Sequence, residues 1–69
     1  MCTYLFHLLG QIDINELNAM SPHQIRAGQS TPAETQFSIY TDQSGMIGML
    51  QHLHNQGLAV LLIVRQPEE

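Results

Sequence analysis

The chain has 69 residues and a mass of 7.8 kDa, which leaves room for one domain over residues 1–69 with one hydrophobic core. Charged residues make up 12% of the sequence, about half the usual share in globular proteins. Two basic residues, Arg26 and Arg65, oppose six acids for a net charge of −4, which excludes the basic clusters that nucleic acids and anionic membrane surfaces require.

The first predicted elements are a strand and a short helix. Residues 3–10 (TYLFHLLG) are rich in aromatic and aliphatic side chains and end at a glycine, which predicts a strand. Asp13 can cap a short helix over residues 13–20, with Glu16 as its capping-box partner, and a turn is the alternative. Pro22 ends this segment, because the residue before a proline avoids helical geometry.

The middle of the chain contains two strand candidates. Residues 23–27 (HQIRA) form the first, and residues 28–32 (GQSTP) have the composition of a loop. Residues 35–41 (TQFSIYT) alternate between a more apolar and a polar face, which is typical of a half-buried strand. The side chains expected on the buried face are Thr35, Phe37, Ile39 and Thr41.

The clearest predicted element is an amphipathic helix over residues 43–56. Asp42 can accept hydrogen bonds from the free backbone N–H groups of the first turn. Gly57 suits the left-handed position after a helix, and residues 58–65 (LAVLLIVR) predict the last strand. The apolar side chains that recur with the period of a helix are Met46, Met49, Leu50 and Leu53.

The order of these elements predicts an α+β fold. It runs β, short helix or turn, β, β, α, β, and the strand–helix–strand unit at its end favours a right-handed crossover. That crossover sets the last strand parallel to the strand before the helix. One sheet covered by a helix is the simplest two-layer solution, so we expect a small two-layer sandwich that resembles a trimmed ferredoxin-like fold.

The last strand is apolar on both of its faces, and the first strand is similar. Such strands normally have cover on both sides, whereas the chain offers one strong helix. We therefore predict that the second sheet face is buried in a homo-oligomer, most simply a two-fold dimer. The alternative is a monomer in which residues 13–20 cover that face. Strict alternation assigns to the predicted interface Leu5, His7, Leu9, Ala59, Leu61 and Ile63.

The sequence contains four histidines, which are its side chains with the widest chemical range. His7 shares a strand face with Leu5 and Leu9, where an imidazole can act as a base or a ligand, and a hydrogen-bonded interface histidine is the alternative. His54 is expected to flank the apolar helix stripe and His52 to lie on the outer side. Positions i and i+2 are about 200° apart on a helix, so these two rings cannot bind one metal ion together. We expect no metal site, and the two rings are only secondary candidates for one between subunits. We expect no bound cofactor.

The acids and the cysteine have structural interpretations. Asp42 already caps the helix, which makes it a secondary catalytic candidate, and Glu34 is expected to be a solvated loop charge. Cys2 is the one cysteine of the sequence, so an internal disulfide is excluded and a reducing cytoplasm is the expected compartment. We expect neither a signal peptide nor a membrane span, because the N-terminus lacks a basic region and residues 58–64, the longest apolar run, fall far below the roughly 20 residues that a bilayer requires.

Three segments of the sequence resemble a known group of proteins. They are Gly10-x-Ile12-Asp13, residues 41–50 (TDQSGMIGML) with Leu53, and residues 57–61 (GLAVL). They are similar to short bacterial proteins of unassigned function that share a G-x-[LI]-D strand end, a [TV]-D-Q-x-x-[LM]-x-G-[LM]-L helix start and a G-L-x-[LV]-[LI] strand. Those proteins carry tryptophans, and this chain has none. The resemblance implies a small α+β domain and supplies no catalytic residues.

Two functions agree with these patterns. The first is a cytoplasmic, oligomeric binding or accessory module that is not an enzyme and that holds a protein partner or an apolar small molecule on its apolar sheet face. The second is a very small enzyme, cofactor-free or metal-assisted, with a histidine acting as acid, base or ligand at a subunit interface. Its candidate residues are His7, His54 and Asp42. Polar groups that converge on one pocket with a histidine would favour the second function.

Overall fold

The computed structural model describes residues 1–21 and 24–66. In chain order their elements are β1 (Cys2–Leu9), α1 (Ile14–Met20), β2 (Arg26–Ser30), β3 (Glu34–Thr41), α2 (Gln43–Asn55) and β4 (Val60–Gln66). The strands form one sheet in the order β2-β3-β1-β4, and every neighbouring pair is antiparallel. The predicted small α+β sandwich is confirmed, and its topology is ferredoxin-like.

Both helices pack on the same face of this sheet. Leu17 of α1 belongs to the same buried cluster as Met49 and Leu53 of α2. Just after α1, the Ser21 hydroxyl lies 3.4 Å from the Met49 sulfur, which ties the two helices together. The segment over residues 13–20 therefore does not cover the second face of the sheet, and the alternative in which it does is wrong.

Strands β3 and β4 run in the same direction, as the predicted crossover requires. Both are antiparallel to β1, which lies between them, so they are not hydrogen-bonded neighbours. The crossover helix α2 spans this gap on one face. A chain built in this way has β1 and β3 at the centre of its sheet and β2 and β4 at its two edges.

The core follows the alternation predicted for the two central strands. Phe6 and Phe37 are directly opposite each other on β1 and β3, and their parallel rings have centroids 5.0 Å apart. Offset or stacked aromatic pairs of this kind add to the stabilisation that burial alone provides. The fully buried side chains of the core are Phe6, Leu8, Thr35, Phe37, Ile39, Met49 and Leu53.

The second strand differs from its prediction. The candidate was residues 23–27, of which His23 lies outside the described residues, and the observed β2 extends through Gly28 to Ser30. All five of its residues are exposed, so no apolar pattern marks it. Gly28 belongs in the strand because the backbone of β3 approaches it closely: a Cβ atom there would lie 3.0 Å from the Gln36 carbonyl oxygen.

Both helices begin at the predicted caps. Asp13 Oδ1 accepts hydrogen bonds from Asn15 N at 3.0 Å and Glu16 N at 3.4 Å, so the segment that was open between helix and turn is a helix. Asp42 Oδ1 accepts a hydrogen bond from Gly45 N at 2.8 Å. Gly57, with φ of 78°, takes the left-handed conformation expected after α2.

Replacement of Asp42 by alanine is expected to lower the free energy of unfolding by about 0.5–2 kcal/mol, because the first turn of α2 loses its side-chain acceptor. Urea denaturation followed by circular dichroism measures this loss. Asp42→Asn is the matched control, since asparagine caps helices about as well as aspartate. Equal losses in the two variants would contradict the capping role.

A β-bulge changes which face each residue of β4 occupies. Leu8 pairs with Val60, but His7 pairs with Leu62, so Leu61 is an extra residue between these pairs. Strict alternation placed Ile63 on the second sheet face with Leu61. The bulge instead turns Ile63 toward the core, opposite Phe6. Leu62 and Val64, which alternation placed on the core side, lie on the second face.

Candidate functional site

We call the sheet face opposite the two helices the open face. No helix in the described ranges covers it. Directly opposite residues of antiparallel strands share a face, so the strand register defines its members. They are Thr3, Leu5, His7 and Leu9 of β1, Glu34, Gln36, Ser38 and Tyr40 of β3, Leu62, Val64 and Gln66 of β4, and Arg26 of β2.

The open face has an apolar half, on β1 and β4. Leu9 is 57% exposed, Leu62 51% and Val64 37%, which is unusual for aliphatic side chains grouped on one surface. Leu5 is half-buried between Ser38 and Val64. Of the other predicted interface residues, Ala59 is exposed just before β4 and Leu61 is exposed at its bulge. The structure thus leaves most of the predicted interface in contact with solvent.

The open face has a polar half on β2 and β3, with one of the two cations of the chain at its end. Arg26 pairs with Ser38 in the register and forms no ion pair within the described residues. A shallow cavity of about 400 Å³ lies beside it. Its polar lining side chains are Thr3, Gln24, Arg26, Ser38 and Tyr40. This end of the face is suited to hydrogen bonding rather than to apolar packing.

His7 lies where the two halves meet, and its partner is Glu34. The His7 Nδ1 atom and the Glu34 Oε1 atom are hydrogen-bonded across β1 and β3, with side chains 20% and 33% exposed. An ionised carboxylate only accepts hydrogen bonds, so Nδ1 carries the hydrogen. Gln36 Nε2 lies 3.5 Å from the same Glu34 oxygen and adds a second donor. The carboxylate therefore fixes the orientation of the imidazole ring.

The second ring nitrogen of His7, Nε2, is available for a hydrogen bond to another molecule. Nε2 forms no hydrogen bond with residues 1–21 and 24–66, and it is not among the buried polar atoms. A neutral imidazole whose Nδ1 is held as a donor presents Nε2 as an acceptor. Chemically, the pair can accept a hydrogen bond or a proton from a molecule that lies on the open face.

The remaining sequence candidates do not join this pair. Asp42 is exposed at the start of α2, where it caps the helix. The buried stripe of α2 is centred between Met49 and Leu53, about 80° from His52 and about 120° from His54. His54 is accordingly exposed, and His52 is half-buried with its Nε2 atom buried and unpaired among the described residues. The predicted exposure of these two rings was therefore reversed.

No group of three or more histidine, cysteine and acidic side chains that could hold a metal ion occurs in the described parts of the chain. Cys2 is the first residue of the central strand β1, and its sulfur accepts a hydrogen bond from Arg65 Nε at 3.3 Å. This bond, with the nearby Cys2 and Tyr4 groups, raises the pKa of the Arg65 guanidinium. Cys2 and Arg65 lie toward the opposite end of β1 from His7, so neither side chain joins the His7–Glu34 pair.

The role of Glu34 was not predicted from the sequence. This residue was interpreted as a loop charge, yet it is the first residue of β3, half-buried, and 27 positions from its partner. The available signal was its place directly before an alternating strand, which puts it on the polar face with Gln36. Its contact with His7 depends on the pairing of β1 with β3, which spacing along the chain does not supply.

The structure includes no helix, within residues 1–21 and 24–66, with the length and apolar character needed to cross a membrane. Comparison with known proteins adds no family to these observations. No family model, no curated protein and no solved structure matches this chain.

Proposed function

We propose that the chain is a cytoplasmic binding module that works as a two-fold dimer, with the open face of one copy packed against the open face of another. The single observation that carries this proposal is the group of aliphatic side chains that both helices leave uncovered. Full burial of each such side chain is worth about 1.5–3 kcal/mol. For a domain of this size that gain is a large part of the total stability.

A second copy is the occupant that fits this face best. A two-fold interface brings the same patch of both copies together, so a face with an apolar half can cover itself. With the symmetry axis between the sheets and across the strands, β1 and β4 lie over the same strands of the partner. A stable dimer buries about 800 Å² per partner, which is under a fifth of the 4576 Å² that one copy exposes. The low share of charged residues agrees with a surface that is not fully solvated.

Native mass spectrometry of the purified protein tests the dimer. We expect a mass twice the 7.8 kDa of one chain. Leu62→Asp should give a folded monomer, because Leu62 is exposed within one copy and a carboxylate buried between two sheets costs several kcal/mol. Ile47→Asp is the matched control: Ile47 is exposed on α2, away from the open face, and this variant should stay dimeric. A monomeric wild-type protein, or equal effects of the two substitutions, would refute the proposal.

A second candidate function, a very small enzyme with a histidine at the subunit interface, is favoured by the His7–Glu34 pair. A carboxylate that orients one nitrogen of an imidazole and leaves the other free is the arrangement of a general base. No other catalytic candidate lies beside this pair, however, because Asp42 caps α2 and His54 lies in its last turn. We therefore rank binding above catalysis and assign the pair a role in binding.

A further inference from the structure

We propose that a groove between α2 and β4 binds a small apolar molecule that carries a carboxylate group, such as a medium-chain fatty acid. Arg65 and the Tyr4 hydroxyl hold the carboxylate, and the apolar wall of the groove holds the rest of the molecule. The groove lies on the side of the sheet that carries the helices. The inference therefore goes beyond the dimer and uses a different surface from the open face.

The groove lies beside an edge strand. Strand β4 has a neighbour in the sheet on one side only, and α2 packs on the sheet next to it. Between them is an open cavity of about 400 Å³, within the range of about 300–1,000 Å³ that is typical of small-molecule sites. Ile47 in its wall is 44% exposed, so a ligand can cover apolar surface there. The apolar lining side chains are Met46, Ile47, Leu50 and Ile63, and the polar ones are Tyr4, Gln43 and Arg65.

The groove contains an unused hydrogen-bond donor, the Tyr4 hydroxyl. Tyr4 is only 6% exposed, and its ring belongs to the core. Its hydroxyl forms no hydrogen bond with residues 1–21 and 24–66, and it is not among the fully buried polar atoms, so it opens into the groove. A buried tyrosine usually has a partner for its hydroxyl. A ligand in the groove supplies the partner that the described chain does not.

Arg65 provides the positive charge next to this hydroxyl. It is directly opposite Tyr4 in the register of β1 and β4, so both side chains lie on the same face of the sheet. Arg65 forms no ion pair within the described residues, and its Nε donates a hydrogen bond to Cys2 Sγ at 3.3 Å. That bond orients the guanidinium and leaves both terminal NH₂ groups for an acceptor. A carboxylate has the geometry that fits such a pair of donors.

The charges around the groove select an anion. No acidic side chain within residues 1–21 and 24–66 lines the groove, whereas Arg65 does. Asp42 precedes Gln43 in the chain, but its carboxylate caps α2, where the positive end of the helix dipole offsets its charge. The net charge of −4 acts over longer distances, at which salt screens it. A cation would be repelled by Arg65, and a small hydrophilic anion would leave the apolar wall uncovered.

The test titrates sodium octanoate into the full-length chain and follows the NMR signals of the Met46 ε-methyl group and of Arg65 Nε–H. We expect both signals to shift along one saturable binding curve. Octan-1-ol, which has the same alkyl chain and no charge, should bind about tenfold more weakly. Arg65→Gln should weaken octanoate binding by about tenfold or more. Tyr4→Phe keeps the buried ring and should weaken it by about threefold to tenfold.

The matched control is Arg26→Gln, which removes the other cation of the chain from β2, at the opposite edge of the sheet. This variant should bind octanoate as the wild-type protein does, and circular dichroism checks that each variant is folded. Three results would each overturn the site: equal binding of octanol and octanoate, equal effects of the two arginine substitutions, or NMR signals that do not move.

Native mass spectrometry of the same samples separates this site from the dimer. Leu62→Asp changes the open face and should still bind octanoate as a monomer. Ile47→Asp changes the groove and should stay dimeric while losing octanoate binding. A dimer without Arg65-dependent binding refutes the site alone, and a wild-type monomer that binds octanoate refutes the dimer alone.

Discussion

Replacement of Phe37 by alanine is expected to lower the free energy of unfolding by about 3–5 kcal/mol and to leave much of the protein unfolded at room temperature. Phe37 is fully buried, stacks on Phe6, and lies on β3, one of the two central strands. The substitution removes both the buried area and the ring contact. In a domain this small, few other core side chains remain to close the cavity.

Urea denaturation of the wild-type and variant proteins, at one protein concentration, measures this effect. Ile47→Ala is the control, because Ile47 is a large apolar side chain that is 44% exposed on α2, and its loss should cost well under half as much. A loss below about 1 kcal/mol for Phe37→Ala would mean that the aromatic pair is not the centre of the core.

The second large effect is expected at Thr35, which is fully buried on β3. Its hydroxyl donates a hydrogen bond to the Gly10 carbonyl at 2.8 Å and accepts one from Ile12 N at 2.9 Å. Thr35→Val keeps the shape and leaves both backbone groups without a partner. Each unpaired group costs about 1–3 kcal/mol, so we expect a total loss of about 2–6 kcal/mol.

Thr35→Ser separates the contribution of the hydroxyl to stability from that of the methyl group. Serine keeps both hydrogen bonds and loses one buried methyl, which costs about 1 kcal/mol. Thermal unfolding should therefore rank wild type first, the serine variant second and the valine variant last. A valine variant as stable as the serine variant would show that the connection from β1 to α1 does not depend on this hydroxyl.

The elements whose sequence patterns lie within one short stretch of the chain were predicted correctly. The Asp42 cap, the apolar period and Gly57 lie within one stretch of chain, and together they determine where α2 begins and ends. The alternation of β3 is equally local, because its polar and apolar positions differ. These signals do not depend on how the rest of the chain folds.

The features that depend on strand pairing were not predicted. The β4 segment has no polar residue between Leu58 and Val64, so either phase of alternation fits it, and only its pairing with β1 shows the bulge at Leu61. Strand β2 carries no apolar pattern, and the need for Gly28 arises from Gln36 of the neighbouring strand. Glu34 became part of the site for the same reason.

The two bulges have a consequence for how the protein behaves at high concentration. Both edge strands are irregular: the register of β4 shifts at Leu61, and that of β2 shifts between Ala27 and Ser30. A regular, apolar edge is a template on which further chains can add strand by strand. Bulged edges break the repeat of free backbone groups that such growth requires. Strand addition at either edge is therefore disfavoured, and in the proposed dimer association would involve the open face, which closes after two copies.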